Sequence, residues 1–272
     1  GNITAEGISL SVQGNITQSD ASSSINSKSG LLTIGGAITF GGLNDVTLTN
    51  ANNSIGAVSG TLAGNLALNS SVNLEVSALQ FGNASLTVSG NINGVQAVSG
   101  NDLTVNTSNG GSVTMTNANT LTGTISANVA SGLTINNTGN TSLGNITAAS
   151  AGINVGGNGT LTQVSGTTVA VTSGLDITTA NGAATLNQAN SIEGTFAANV
   201  AGALVVNNTR DLSLGNLTAT NANITLSNGA LTQVDGNIAV AALDITTNNA
   251  IANLSVGSSN QITGNLTAQL GS

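Results

Sequence analysis

The sequence predicts an all-β protein that winds as a parallel β-helix, also called a β-solenoid. Three observations lead to this prediction. A unit of about 70 residues recurs along the chain, which is the mark of a repeat architecture. Short stretches alternate apolar with small polar residues. Proline is absent, and only 4% of the residues are charged, as suits a stack of strands that bond along their whole length.

The repeat is clearest in the pattern Ala/Ser-Asn-x-x-x-Gly, which occurs four times. We predict one solenoid over residues 1–272, and we expect it to be a segment of a longer chain. It would contain about four repeats, at approximately 1–46 (partial), 47–113, 114–184, 185–254 and 255–272 (partial). The structural repeat positions, which we assign to tight turns, are Asn52, Gly56, Asn119, Gly123, Asn190, Gly194, Asn260 and Gly264.

Strands are predicted where apolar and polar residues alternate, as in LTVSG, GLTIN and NITLS. Gly-Asn-Ile/Leu recurs between such stretches and indicates turns, because Gly and Asn tolerate the left-handed backbone conformation. Three strands in each winding of the chain, here called a coil, give about three coils per repeat and about 12 in all. A membrane barrel would need aromatic girdles, which three Phe residues do not supply.

The lack of charge fits the same fold. Neighbouring coils are about 4.8 Å apart, so a charge repeated in every coil would repel its own copies. Columns of Asn and Thr can instead form hydrogen bonds along the stack. We predict that Leu133, Leu204 and Val205 point into the core, and that Asn158 is exposed in a turn.

Composition also excludes several kinds of function. There are 2 Lys+Arg and 10 Asp+Glu residues and no His, Cys or Tyr, so most side chains used in acid–base catalysis are absent. Zinc sites need His or Cys, and nucleic-acid binding needs a basic surface that a net charge of −8 does not provide. We expect no enzyme activity, metal, cofactor, nucleic-acid partner or membrane insertion.

Three sets of polar residues remain as candidate sites. The repeat asparagines would recur about 14 Å apart on one edge, where a ligand row competes with the favoured hypothesis of strand caps. Isolated acids suit solvated charge better than calcium, which takes about six to eight oxygens. These acids are Asp20, Asp45, Asp102, Asp176, Asp211, Asp235 and Asp244. Glycosylation sequons begin at Asn2, Asn145, Asn216 and Asn265, although a chain rich in Asn and Thr produces them by chance.

Catalytic pairs and ice-binding faces are remote possibilities. Asp176 and Asp244 occupy matching LDITT segments, which predicts a separation of about three coils and no cooperation. Lys28 and Arg210 are the two basic residues, and Arg210 has Asp211 beside it. Thr-x-Thr pairs occur about once per three coils, whereas a flat ice-binding face would need one in every coil.

The segment TLNQANSIEGTFAANVAGALVV (185–206) resembles the repeats of filamentous-haemagglutinin-like exoproteins, the large bacterial adhesins exported by two-partner secretion. The resemblance extends over essentially the whole chain. It implies a right-handed parallel β-helix, a secreted or cell-surface location, and a role in adhesion, aggregation or biofilm formation.

We therefore expect a structural shaft or filament segment of a secreted bacterial adhesin. A lateral binding module for a glycan or host receptor is the alternative, and a polysaccharide-acting enzyme is a remote one. The expected partners are the neighbouring coils of the parent chain and further copies of the chain. Copies would associate end to end or side by side, because the chain has no proline and a single lysine to protect its strand edges.

Overall fold

The computed structural model describes residues 3–9, 16–17, 25–33, 45–49, 51–248, 252–254 and 259–271, the first three ranges by their strand course alone. The chain divides into two compact units, Gly1–Asn136 (unit 1) and Asn137–Ser272 (unit 2). This division falls inside the predicted repeat 114–184, so the units do not follow the repeat boundaries. One continuous solenoid over residues 1–272 stays a prediction.

Every regular element of the described residues is a β-strand, as the alternating pattern predicts. The first fourteen strands are β1 (Ile3–Ser9), β2 (Ile16–Thr17), β3 (Ile25–Thr33), β4 (Val46–Leu48), β5 (Ala57–Thr61), β6 (Leu66–Ser70), β7 (Leu74–Gln80), β8 (Ala84–Val88), β9 (Ile92–Gly94), β10 (Ser99–Gly100), β11 (Leu103–Thr107), β12 (Val113–Leu121), β13 (Thr124–Asn128) and β14 (Gly132–Asn137). The others are β15 (Thr141–Val155), β16 (Leu161–Gln163), β17 (Val169–Thr179), β18 (Ala184–Ile192), β19 (Thr195–Val200), β20 (Leu204–Asn208), β21 (Leu212–Leu226), β22 (Leu231–Gln233), β23 (Ile238–Thr247), β24 (Ala252–Asn253), β25 (Gln261–Ile262) and β26 (Leu266–Leu270).

In unit 1 the strands of successive coils pair in parallel. Leu66 in β6 lies opposite Ala84 in β8, Ala84 lies opposite Leu103 in β11, and Leu103 lies opposite Ile125 in β13. The chain advances by about twenty residues from each of these partners to the next, and this advance is the length of one coil.

Unit 2 follows the same rule, and its register shows how the repeat relates to the coil. Ile177, Ala198, Leu217 and Ile238 lie opposite one another in turn, so three coils carry the chain from Ile177 to Ile238. The sequence repeat is longer than this stretch, because it runs from Asn190 to Asn260. Equivalent residues of successive repeats therefore lie in different rows of the solenoid, where a row is a set of residues that pair from coil to coil.

The core consists of the inward residues of each strand. Leu133 and Leu204 are each 1% exposed, as predicted, and Asn158 is exposed. The prediction for Val205 is wrong, because it is half-buried while its neighbours Leu204 and Val206 point inward. Successive side chains of a strand point to opposite faces, so Leu204 and Val205 cannot both be inside.

The fold prediction is confirmed. The protein is all-β and its parallel strands stack as a β-solenoid of about 11 coils, close to the 12 expected. The hand of the solenoid stays a prediction.

Candidate functional site: polar ladders, buried amides and lateral grooves

A ladder of Asn and Asp side chains follows the exposed edge of one sheet in unit 1. The Oδ1 atom of Asp45 accepts a hydrogen bond from the backbone N–H of Asn65 at 2.7 Å. Asn65 accepts from the N–H of Asn83 at 3.0 Å, and Asn83 from that of Asp102 at 3.1 Å. Asp102 accepts from the N–H of Thr124 at 2.7 Å. We call Asp45, Asn65, Asn83 and Asp102 the outer ladder, in which each side chain caps the backbone of the next coil.

The outer ladder explains the Gly-Asn-Ile/Leu pattern. Each of its members stands directly before the first inward residue of a strand, as Asn65 stands before Leu66. In unit 2 the asparagines of this pattern also cap the next coil, although they lie inside strands: Asn145 in β15 accepts from the N–H of Thr168 at 2.9 Å, and Asn216 in β21 from that of Asn237 at 2.9 Å. The sequence predicted that this asparagine forms a turn. Hydrogen bonds of asparagine columns along the stack were expected, but the backbone N–H of the next coil was missed as the partner, although the constant place of the asparagine before an apolar residue was a usable signal.

A second set of asparagines is buried at the corners of the coil. Asn190 is 0% exposed. Its Oδ1 accepts from the N–H of Val169 at 2.8 Å, and its Nδ2 donates to the carbonyls of Leu186 at 3.1 Å and Asn207 at 3.0 Å. The bonds to Val169 and Leu186 are buried, where an unpaired backbone group is costly, and the bond to Asn207 is part-buried.

Asn119 repeats this arrangement in unit 1. It is 1% exposed, accepts from the N–H of Val98 at 2.9 Å, and donates to the carbonyls of Met115 at 3.0 Å and Asn136 at 2.8 Å. Both Asn119 and Asn190 lie inside strands, not in the tight turns predicted for them. The strand continues through the corner because the inward amide replaces the backbone partners lost there.

In the first repeat this place belongs to Asn53 and not to the predicted Asn52. Asn53 is 0% exposed and donates to the carbonyl of Leu48 at 2.9 Å, whereas Asn52 is exposed in a turn. The first repeat is thus offset by one residue from the alignment that placed Asn52 opposite Asn190. The match of Asn-Ser-Ile at 53–55 with 190–192 could have shown this offset. We call Asn53, Asn119, Asn190 and Asn260 the corner asparagines.

Two glutamines bond two of the corner asparagines through a reciprocal amide pair. Gln163 Nε2 donates to Asn190 Oδ1 at 2.7 Å, and Asn190 Nδ2 donates to Gln163 Oε1 at 3.2 Å. Gln233 and Asn260 form the same pair at 2.9 and 2.8 Å. We call these pairs the clasps; Gln163 is 9% exposed and Gln233 is 3% exposed, whereas Asn260 is half-buried and its bonds with Gln233 are part-buried. Sequence reasoning missed both glutamines, although they recur at the same place in TLTQV and ALTQV.

The corner asparagines of unit 2 do not form the single row that was expected. Asn190 lies opposite Asn208, and the register continues through Leu226 and Thr247 to Leu270. It does not reach Asn260, which accepts from the N–H of Ile238, at the other end of β23 from Thr247. A ligand row of asparagines on one edge is therefore wrong for this pair, because the repeat is longer than three coils.

The repeat glycines lie between strands. Gly123, Gly194 and Gly264 are at bends, and Gly56 precedes β5. Gly194 has φ +73°, and a side chain there would collide with the backbone of Ser173. This position therefore requires glycine.

A shallow groove lies on the outer surface of each unit. The unit 2 groove has a volume of about 570 Å³, and its lining includes Ala197, Asp176, Asn199, Asn216 and Asn237. The unit 1 groove has about 420 Å³ and is lined by the outer ladder. The Asp and Asn side chains of the unit 1 groove are used in capping. Those of Asp176, Asn199 and Asn237 form no hydrogen bond with another described residue.

The remaining acids do not converge. Asp176 lies opposite Ala197, whereas Asp244 lies opposite Asn223, so the two acids belong to different rows of paired residues. Asp211 caps the N–H of Ala230 at 2.7 Å, so it is not only solvated charge. Asp235, which is exposed, accepts from the N–H of Gly236 at 2.7 Å.

Arg210 pairs with Glu193 and not with Asp211, its neighbour in sequence. Arg210 Nε faces Glu193 Oε1 at 3.6 Å, with the side chains 62% and 42% exposed. Glu193 reaches Arg210 from the neighbouring coil, whereas the Asp211 carboxylate is directed at the backbone.

Some candidates lie outside the described residues, namely Asp20, Asn2 and the side chain of Lys28. In the ranges that are described, no three His, Cys, Asp or Glu residues are grouped so that they could hold a metal ion. That part of the chain also contains no helix long and apolar enough to span a membrane. The sequon asparagines Asn145, Asn216 and Asn265 are exposed.

Comparison with known proteins gives one match. A family model described as repeats of unknown function (DUF5649) matches residues 1–61, which end with β5. No curated protein and no solved structure matches the chain. The match supports the repetitive character of that segment, and its description names no function.

Proposed function

We propose that the chain is a structural shaft segment of a secreted bacterial surface adhesin, which presents an adhesive region or forms extracellular fibres. The outer ladder is the observation that carries this proposal. Each of its side chains bonds the backbone of the next coil, so the same contact can be repeated for any number of coils. The proposal assigns no catalytic role to the chain.

Two further properties suit a shaft. The core of each unit is a column of Leu, Ile, Val and Ala side chains, so each coil covers the apolar side chains of the one before it. Capping is done mostly by neutral amides, so the stack does not accumulate charge. The resemblance of residues 185–206 to exoprotein repeats supports the location at the bacterial surface.

Lengthening the chain by one repeat tests the shaft. A second copy of residues 185–254 inserted after residue 254 adds about 3.4 coils at the register of unit 2. Small-angle X-ray scattering should show a maximum dimension greater by about 16 Å and an unchanged cross-section. An unchanged maximum dimension with a wider cross-section would contradict the proposal.

The proposed location needs a separate experiment. Antibodies raised against this chain should label intact cells that express its gene, and mild protease treatment of those cells should remove the label. Labelling that requires permeabilised cells would overturn the surface location and leave the shaft untouched.

The unit 2 groove favours a second candidate, a lateral binding module for a hydroxyl-rich ligand such as a glycan. Asp176, Asn199 and Asn237 present side chains that are free to bond a ligand. The rings of Phe81 and Phe196 are 5% and 0% exposed, so neither can stack on a sugar. Glycan-array binding that is lost in Asn199→Ala and kept in Asn83→Ala would favour this candidate over the shaft alone.

A further inference from the structure

The chain contains five Asn-Gly pairs, and the fold holds them to different degrees. The pairs begin at Asn93, Asn109, Asn158, Asn181 and Asn228. Asparagine before glycine is the dipeptide that loses its side-chain amide most readily without an enzyme. Glycine has no Cβ to hinder its backbone nitrogen when that nitrogen attacks the Cγ atom of the asparagine. In a folded chain the reaction therefore depends on how firmly this nitrogen and this side chain are held.

Asn109 and Gly110 are the two central residues of a tight turn between β11 and β12. Their φ angles are +52° and +75°, and Gly111 N–H donates to the carbonyl of Ser108 at 2.9 Å, as in a type I′ turn. Ser108, Asn109 and Gly110 are all exposed. The hydrogen bond that closes the turn joins the residues on either side of the pair and does not include the Gly110 nitrogen.

The nitrogen that would attack Asn109 is held weakly. The N–H of Gly110 donates no hydrogen bond to another described residue. A methyl group placed on Gly110 would meet no atom within 4 Å, so no neighbour packs against this part of the turn. Asn109 Nδ2 donates to the carbonyl of Ser89 at 3.3 Å, an exposed contact that is longer than a good N–H···O bond. The peptide between Asn109 and Gly110 can therefore rotate toward Cγ at little cost.

Two pairs of unit 2 are held against the coil before them. Gly159 is buried, and a Cβ there would collide with the carbonyl of Gly139. Gly182 is buried against Gly159 in the same way, and Asn181 Nδ2 donates to the carbonyl of Gly157 at 2.8 Å. In both pairs the glycine cannot rotate without leaving its contact with the preceding coil.

The remaining two pairs are restrained as well. Asn93 lies in β9 opposite Glu75 of β7 and Thr114 of β12, so its strand is paired on both sides. Gly229 has φ +106°, and a Cβ there would collide with the backbone of Asp211. A paired strand and a glycine pressed against another coil both oppose the rotation that the attack needs.

We propose that Asn109 is a site of spontaneous deamidation, with water as the co-reactant. The backbone nitrogen of Gly110 forms a bond to Cγ of Asn109, the bond from Cγ to Nδ2 breaks, and ammonia leaves with the proton of the Gly110 nitrogen. Water then opens the cyclic imide at either carbonyl and gives aspartate or isoaspartate at position 109. The net reaction turns an amide and water into a carboxylate and ammonium, without an oxidant or reductant.

The reaction changes the contact between this turn and the next coil. Thr107 Oγ1 donates to the carbonyl of Gly111 at 2.8 Å and accepts from Ala130 N–H at 3.0 Å, and Ser131 N–H donates to the carbonyl of Gly111 at 3.1 Å. Isoaspartate adds a methylene to the backbone of the turn and should speed hydrogen exchange at Ala130 and Ser131. Unchanged exchange at both residues in the deamidated chain would contradict this effect.

Peptide mapping by mass spectrometry tests the proposal on the full chain. The folded protein and the protein unfolded in urea are kept at mildly alkaline pH, and the loss of amide is followed at all five pairs. Unfolding should bring the five rates close together, because every pair is then exposed. Folding should slow the other four pairs at least about tenfold and Asn109 less than about threefold. If folded Asn109 loses its amide no faster than the other four, the proposal is overturned.

Two variants serve as matched controls. Gly110→Ala hinders the attack with a methyl group that meets no neighbour, and it should slow the loss of amide at Asn109 while the other four rates stay unchanged. Asn109→Gln keeps an amide but places it one methylene further from the nitrogen. An isoaspartyl methyltransferase should label the aged wild type but not the aged Asn109→Gln variant. Equal labelling of the two proteins would place the reaction at another residue and overturn the proposal.

Discussion

Asn190 and Asn65 each accept a backbone N–H from a neighbouring coil, but Asn190 is 0% exposed and Asn65 is exposed. Water can replace the amide of Asn65 if that side chain is lost. At Asn190 the bonds to the Val169 N–H and the Leu186 carbonyl are buried, so the loss would leave these two groups without that partner away from water. The same hydrogen bond is thus worth more at the corner than on the outer ladder.

The comparison depends first on which side chains are inside, and Leu204 and Val205 test this in one strand. Leu204→Asp buries an unpaired charge and should lower the free energy of unfolding by more than about 4 kcal/mol. Val205→Asp keeps its charge near water and should cost less than about 1 kcal/mol. Thermal or urea unfolding of both variants measures the difference. Similar losses would show that β20 is assigned to the wrong face.

The corner asparagine should come next in size. Asn190→Ala removes an acceptor from the buried N–H of Val169 and a donor from the buried carbonyl of Leu186, and should cost about 3 to 4 kcal/mol. Asn158→Ala, an exposed residue of the same unit, should change the free energy of unfolding by less than about 0.5 kcal/mol. Urea unfolding measures both. A loss below about 1 kcal/mol for Asn190→Ala would refute the role given to the corner asparagines.

The clasp should contribute less than the corner asparagine it holds. In unit 1, Ile92 of β9 pairs with Val113 of β12; in unit 2, Leu161 of β16 pairs with Ala184 of β18 in the same way. Two residues after the paired residue, unit 1 has Gly94 and unit 2 has Gln163. Gln163→Gly should therefore leave a folded unit and cost about 2 kcal/mol. Thr162→Gly, on the outer face of the same strand, measures the cost of glycine alone. If the two variants are equally stable, the clasp adds nothing.

The smallest effect is expected on the outer ladder. Asn65→Ala removes the acceptor for the N–H of Asn83, and water can take its place. The free energy of unfolding, measured in urea, should fall by about 1 kcal/mol or less. A loss as large as that of Asn190→Ala would remove the distinction between exposed and buried caps.

The fold could be predicted because alternation fixes the strands and the lack of proline permits pairing on both sides. The corner asparagines could not be placed, since a sequence shows the length of its repeat but not the shorter length of three coils. The coil length is set by pairing register and by bulges, such as the one between Phe196 and Ala198. Equivalent residues of successive repeats, such as Asn190 and Asn260, therefore lie in different rows of paired residues, although one row was expected.

The polar contacts of the site were harder to predict. Gln163 and Gln233 stand in short apolar–polar stretches, where an amide is as easily turned to solvent as to the core. Their partners, Asn190 and Asn260, lie more than a whole coil further along the chain, a distance that no local pattern indicates. Asp102 and Asp211 were taken for solvated charges because an acid that caps a backbone N–H has no distinctive neighbours in sequence.

Hydrogen exchange at single backbone amides tests the central claim most directly, namely that buried side-chain amides hold the coils together. In the wild type, the N–H of Val169 should exchange as slowly as that of Leu217, which bonds a backbone carbonyl. In Asn190→Ala, exchange at Val169 should become at least about a hundredfold faster, while that at Asn83 in unit 1 stays unchanged. Equal protection of Val169 in the wild type and in Asn190→Ala would contradict the claim.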